Sequence, residues 1–148
     1  MILADTNILL RMADVAHPDA PHARSAVLKL HRAGKTIHIV PQNLYEFWAA
    51  ATRPAGPFPA ANGLGLSANR ADLWIGYVQR NFSLLPDKPE LWQHWRKLVS
   101  VFGVVGRKSH DVRLVAAMQT YGLKELLTFN APDFKRFATI QIIDPRAI

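Results

Sequence analysis

The chain has 148 residues, 49% hydrophobic and 20% charged, the proportions of one ordinary globular domain and not of a disordered segment. It carries 18 Lys and Arg against 11 Asp and Glu, a formal charge of +7, and has no cysteine. Disulfides, thiolate metal sites and cysteine nucleophiles are therefore excluded, while polyanions such as nucleic acid become candidate partners.

No apolar run reaches the ~18 residues of a membrane span. Asp5 interrupts the only apolar N-terminal stretch, so neither a membrane anchor nor a secretory leader is expected, and a cytoplasmic location is. Residues 1–4 read as a short buried strand ending at Asp5-Thr6-Asn7. Asp19 stands where it can cap a helix with the stripe Ala23, Ala26, Val27 and Leu30, stopped by Gly34. Residues 37–40 form a second strand, and Pro41 opens a helix carrying Leu44, Phe47, Trp48 and Ala51.

Residues 53–65 hold three prolines and three glycines and read as a loop. Ser67 caps a helix with Ala71, Trp74, Ile75, Val78 and Phe82 on one face, and residues 82–85 are a third strand before Pro86. The next helix has the stripe Leu91, Trp95, Leu98, Val99 and Phe102, followed by a basic connection over 103–109 that contains Arg107 and Lys108. A helix from about 110 to 121 turns Leu114, Ala117, Met118 and Tyr121 inward and stops at Gly122. Residues 125–128 are a strand, Asn130 caps a short helical turn through Phe137, and 139–143 are the last strand. Strands alternating with helices, in one domain over 1–148, predict a parallel sheet covered on both faces.

In such a sheet every strand ends on one edge, every following helix begins there, and ligands bind there. Asp5 ends the first strand, Glu46 lies near the start of the helix after the second, and Asp111 opens the helix before the fourth. Asn130 and Asp133 follow the fourth strand directly. Carboxylates brought together on one edge repel unless protonated or joined by a cation, and an all-oxygen donor set suits Mg²⁺ or Mn²⁺. Each residue also has a plainer reading. Asp5-Thr6-Asn7 can close a turn, and Asp111 can serve the helix dipole. Asn130 and Asp133 have capping-box spacing, and Glu46 can be solvated. It is the convergence of four acids on one edge that favours a site.

These residues resemble the PIN-domain nucleases, in particular the VapC-type toxins of bacterial toxin–antitoxin pairs. The matching pieces are Ile2-Leu3-Ala4-Asp5-Thr6-Asn7-Ile8-Leu9-Leu10, Asn43-Leu44-Tyr45-Glu46-Phe47-Trp48, His110-Asp111 with Leu114-Val115-Ala116-Ala117, and Leu127-Thr128-Phe129-Asn130-Ala131-Pro132-Asp133-Phe134. They run in the family's order from residue 2 to 134. The resemblance implies a three-layer α/β/α sandwich with a central, mostly parallel sheet of four to five strands. It also implies an Mg²⁺- or Mn²⁺-dependent endoribonuclease, inhibited by a small VapB-like antitoxin and commonly dimeric.

Carried over residue by residue, the resemblance makes Asp5, Glu46, Asp111 and Asp133 the catalytic acids and metal ligands. Thr6 and Asn7 become hydrogen-bonding support. Asn130 stands where the family often has a fourth aspartate; its amide oxygen can coordinate but brings no charge, so one metal is expected and a second left open. A metal-activated water would attack the phosphodiester, leaving 5′-phosphate and 3′-hydroxyl ends. Arg11, Arg107 and Lys108 are candidate RNA contacts. Trp48, Trp74, Trp92 and Trp95 fall on or near helical stripes, as core or dimer contacts. Two rival readings are a phosphomonoesterase using Asp5, which usually needs an acid where Asn7 stands, and a non-catalytic RNA-binding module of the same fold.

Overall fold

The computed structural model describes residues 1–56 and 62–148; part of the proline- and glycine-rich loop expected over 53–65 lies outside them. In chain order the elements are β1 (Ile2–Ala4), α1 (Thr6–Ala13), α2 (Ala20–Arg32), β2 (Ile37–Ile39), α3 (Pro41–Thr52), α4 (Ala68–Asn81) and β3 (Ser83–Leu84). There follow α5 (Leu91–Val101), α6 (Lys108–Tyr121), β4 (Glu125–Leu127), α7 (Ala131–Phe134), β5 (Gln141–Ile143) and a closing 3₁₀ turn, Pro145–Ala147. The five strands form one sheet in the order β3-β2-β1-β4-β5, every pair parallel.

Alternation along the strands builds two cores. Ile2 and Ala4 of β1, with Ile37, Ile39 and Leu127, pack among Ile8, Leu9, Ala23, Ala26, Phe47 and Val78 of α1 to α4. Leu3 and Leu126 point the other way, into Leu98, Val112, Val115 and Phe134 of α5 to α7. Successive strand side chains face opposite sides of the sheet, so these short apolar strands are buried on both. The result is the expected α/β/α sandwich. Among the described residues no helix is long and apolar enough to cross a membrane.

Several local expectations change. Asp5-Thr6-Asn7 is not a turn: α1 starts at Thr6, driven by Ile8, Leu9 and Met12, which fall on one helical face and are buried. Asp19 holds the N-cap position of α2 without a side-chain cap bond, because its carboxylate takes Arg146 Nε and Nη2 at 2.9 and 2.7 Å. Asn130 likewise makes no side-chain cap bond. The helix carrying Asp111 begins at Lys108, since the amides of Ser109 and His110 already donate to Gly106 and Arg107 carbonyls. Trp74 and Trp95 pack against the cores, whereas Trp48 and Trp92 are exposed.

Candidate active site

The strand order reverses direction between β1 and β4, with β2 and β3 on one side and β5 on the other. Open α/β sheets bind ligands at such a switch point, beyond the carboxyl ends of the strands. Asp5 follows β1 directly and its amide donates to Leu127 O at 2.9 Å, which brings the two strand ends together. A cleft of about 520 Å³ opens here, lined by Thr6, Glu46, Asp111, Asn130 and Asp133, with Arg53, Arg107, Lys108 and His110 among its other walls.

Asp5 is not itself among the cleft's walls; it is 7% exposed and directly precedes the lining residue Thr6. Asp5 Oδ2 accepts Thr128 Oγ1 at 2.6 Å and Asn7 Nδ2 at 2.7 Å, leaving Oδ1 without a side-chain donor among the described residues. Asn7 also donates to Thr128 Oγ1 and accepts the Phe129 amide. Burial pushes the Asp5 carboxyl up to about 6; the charges of Asp111 and Glu46 add to the rise, while the Thr128 and Asn7 hydrogen bonds oppose it. Burial also raises Asp111, helped by the charges of Asp133 and Glu46 and opposed by His110 and Lys108. The acids therefore feel one another across the cleft.

Glu46 is held at both oxygens: Thr6 Oγ1 donates to Oε2 and Gln42 Nε2 to Oε1, each at 2.6 Å. Asn43 donates to Thr6 Oγ1 and to Ala4 O, and accepts the Val40 amide at the start of α3. Asp133 stands 3.9 Å from Lys108 Nζ, an exposed pair that adds little stability.

The predicted residues Asp5, Thr6, Asn7, Glu46, Asp111, Asn130 and Asp133 are thus brought to one edge, as are Arg107 and Lys108. Arg11 is not among the cleft's walls; it lies in the last turn of α1. Sequence reasoning gave no role to Gln42, Asn43, Arg53 or Thr128, although Asn43 and Thr128 lie within the matched motif pieces. Of six buried polar side chains among the described residues, five are Asp5, Thr6, Gln42, Asn43 and Thr128, all in the hydrogen bonds just described. Buried polar groups are costly unless paired, and here they are spent on holding two carboxylates.

Among the described residues no group of three or more His, Asp or Glu side chains is arranged to hold a metal ion by itself. The donors nevertheless fit a hard cation. They are all oxygens, Asp5 Oδ1 is free of side-chain donors, and Asp5 and Asp111 carry raised proton affinities that a cation would relieve. Mg²⁺ characteristically keeps several waters and takes only one or two carboxylates, so a closed cage is not required.

No protein-family model and no curated protein matches the chain. Its structure does match solved toxin–antitoxin structures. DNA-bound VapBC from Salmonella typhimurium has a TM-score of 0.69 at 18% identity, over 97% of each chain. VapC20 from Mycobacterium tuberculosis, described as a sarcin–ricin loop cleaving toxin, has a TM-score of 0.67 at 15% identity, over 93% of this chain and 95% of that one. FitAcB from Neisseria gonorrhoeae has a TM-score of 0.63 at 16% identity, over the whole of both. At such identities the likeness is one of fold: the chain has the PIN-like α/β/α fold found in these toxins.

Proposed function

We propose that the chain is a metal-dependent endoribonuclease and the toxin of a toxin–antitoxin pair. The observation that carries this reading is the convergence of Glu46, Asp111 and Asp133 on one cleft, beside Arg53, Arg107 and Lys108, with Asp5 close enough to feel the charges of Glu46 and Asp111. In it Asp5, Glu46 and Asp111 would hold Mg²⁺ or Mn²⁺, with Asp133 and the Asn130 amide beside them. A divalent ion there supplies positive charge to the scissile phosphate and makes a water nucleophilic at neutral pH.

The protein's own groups do the rest. Thr6 and Gln42 fix the Glu46 carboxylate, and Thr128 and Asn7 fix that of Asp5, so both acids are oriented before substrate arrives. Arg53, Arg107 and Lys108 neutralise RNA phosphates on either side of the cut, and the net charge of +7 favours RNA encounter. A small antitoxin protein would silence the cleft, and a homodimer is the assembly we propose for the free toxin.

Expression of the wild-type chain in a bacterial host tests this. Growth arrest with new RNA ends, absent for Asp5→Asn and relieved by a small cognate antitoxin, is the expected outcome. Arrest that persists undiminished in Asp5→Asn contradicts the proposal, and so does an RNA population left intact while generic phosphomonoesters are hydrolysed.

A further inference from the structure

Gln42 is buried, one turn before Glu46 on α3. Its Nε2 donates to Glu46 Oε1 at 2.6 Å and to the His110 carbonyl at 2.8 Å, so both amide protons are used. Its Oε1 accepts Arg113 Nη1 at 3.0 Å. The other arm of the guanidinium, Nη2, is held by Asp87 Oδ2 at 2.6 Å, from the loop between β3 and α5.

Chemistry permits only this orientation of the amide. Arginine donates and cannot accept, whereas a carboxylate and a carbonyl accept and cannot donate. Turned over, the amide would set its oxygen against two oxygens and its nitrogen against a guanidinium. Arg113 therefore locks Gln42, and Gln42 locks Glu46. The His110 bond adds a second consequence: His110 immediately precedes Asp111, so Gln42 ties the start of α3 to the first turn of α6. The helix ends that carry Glu46 and Asp111 are joined by one side chain.

We infer that Gln42 and Arg113 are positioning residues, a relay from Asp87 that sets the direction of the Glu46 carboxylate and its spacing from Asp111. This rests on the metal-dependent reading of the cleft. Outer partners of metal-binding carboxylates typically change metal affinity about 10- to 100-fold when removed. A relay also has a signature that independent supports lack. Once Gln42 is gone, Arg113 has nothing left to orient, so its removal adds nothing.

The test is Mn²⁺ binding by the purified full chain, measured by titration calorimetry and by the electron paramagnetic resonance of free Mn²⁺. The variants are Glu46→Gln, Gln42→Leu, Arg113→Met and the Gln42→Leu/Arg113→Met double, with urea unfolding in EDTA as a check of folding. The relay predicts Mn²⁺ affinity about 10-fold weaker in Gln42→Leu, weaker in the same direction in Arg113→Met, and no weaker in the double than in Gln42→Leu. It is overturned if Gln42→Leu or Arg113→Met binds Mn²⁺ like wild type, or if the two losses simply multiply. A purely structural role would lower the urea midpoint and leave the affinity of the folded protein unchanged. If Gln42→Leu fails to fold, Arg113→Met alone decides, because Arg113 does not touch Glu46. Failure of the underlying reading looks different: wild type and Glu46→Gln bind Mn²⁺ equally, or neither binds it, and the relay's function falls with it.

Discussion

Thr128 Oγ1 donates to Asp5 Oδ2 at 2.6 Å, joining the ends of two adjacent parallel strands across 123 positions of sequence. The same hydroxyl oxygen accepts the Asn130 amide at 2.9 Å and Asn7 Nδ2 at 3.1 Å. One threonine thus orients the most deeply buried acid of the site and the turn that presents Asn130.

Thr128→Val keeps the shape and removes the hydroxyl. A hydrogen bond to a charged group contributes about 1.5–3 kcal/mol, so at pH 7 in EDTA the variant should lose on the order of 2 kcal/mol by urea unfolding. Unchanged stability would show that the bond does not hold the Asp5 carboxylate.

Asp5 makes a signed prediction about pH. Its folded value of about 6 lies above the ordinary 3.8, so the fold binds this proton more tightly than the unfolded chain does. Its contribution is fully present below about pH 4 and is lost as pH rises through about 6. The difference corresponds to on the order of 3 kcal/mol. In EDTA, Asp5→Asn should therefore be more stable than wild type at pH 7, with the gap closing toward pH 4. Parallel stability profiles from pH 4 to 7.5 would count against this.

His38 should act in the opposite sense. It is 7% exposed in β2, and neither ring nitrogen makes a well-formed hydrogen bond among the described residues. Burial lowers its pKa from 6.5, assisted by the N-terminal charge, and the Ser83 backbone on β3 offsets only part of this. The depressed pKa favours the fold above pH 6.5, and that contribution is lost as pH falls through the folded value. His38→Leu removes a desolvated polar ring and should raise stability by about 1 kcal/mol at pH 7, by more at pH 5. A loss of stability at both pH values would show that the imidazole has a partner in solution.

Gly63 bears on the Arg53 side of the cleft. A Cβ added there would stand 2.1 Å from Arg53 O, where the returning chain bonds to the end of α3 through Gly65 N to Arg53 O and Leu66 N to Ala51 O. Gly63→Ala should displace this return, lowering the melting temperature and weakening RNA binding together. Wild-type behaviour in both would mean that the loop re-routes freely.

The acids were legible in sequence because a parallel sheet sends every strand end to one edge, so Asp5, Glu46, Asp111 and Asp133 needed only an element order. Helix α1 was hidden because Thr6 and Asn7 are turn formers that here bond sideways, to Glu46 and Asp5. The supports Gln42, Asn43 and Thr128 were hidden for another reason. Gln42 meets His110 and Arg113 of α6, 68 and 71 positions on. Asn43 and Thr128 meet the end of β1 and the residues after it, 37 to 123 positions back, so tertiary packing and not local spacing brings them close. Asp19 shows the same limit, for the chain end supplies Arg146 and takes the carboxylate from the helix it was expected to cap.

RNA cleavage by purified protein, in EDTA and after Mg²⁺ is added back, bears most directly on the cleft's proposed activity. Wild type should be silent in EDTA and cut discrete sites on Mg²⁺ addition, leaving 5′-phosphate ends, while Asp5→Asn and Asp111→Asn remain silent in both. Cutting that persists in EDTA, or that is undiminished in either variant, would contradict the account.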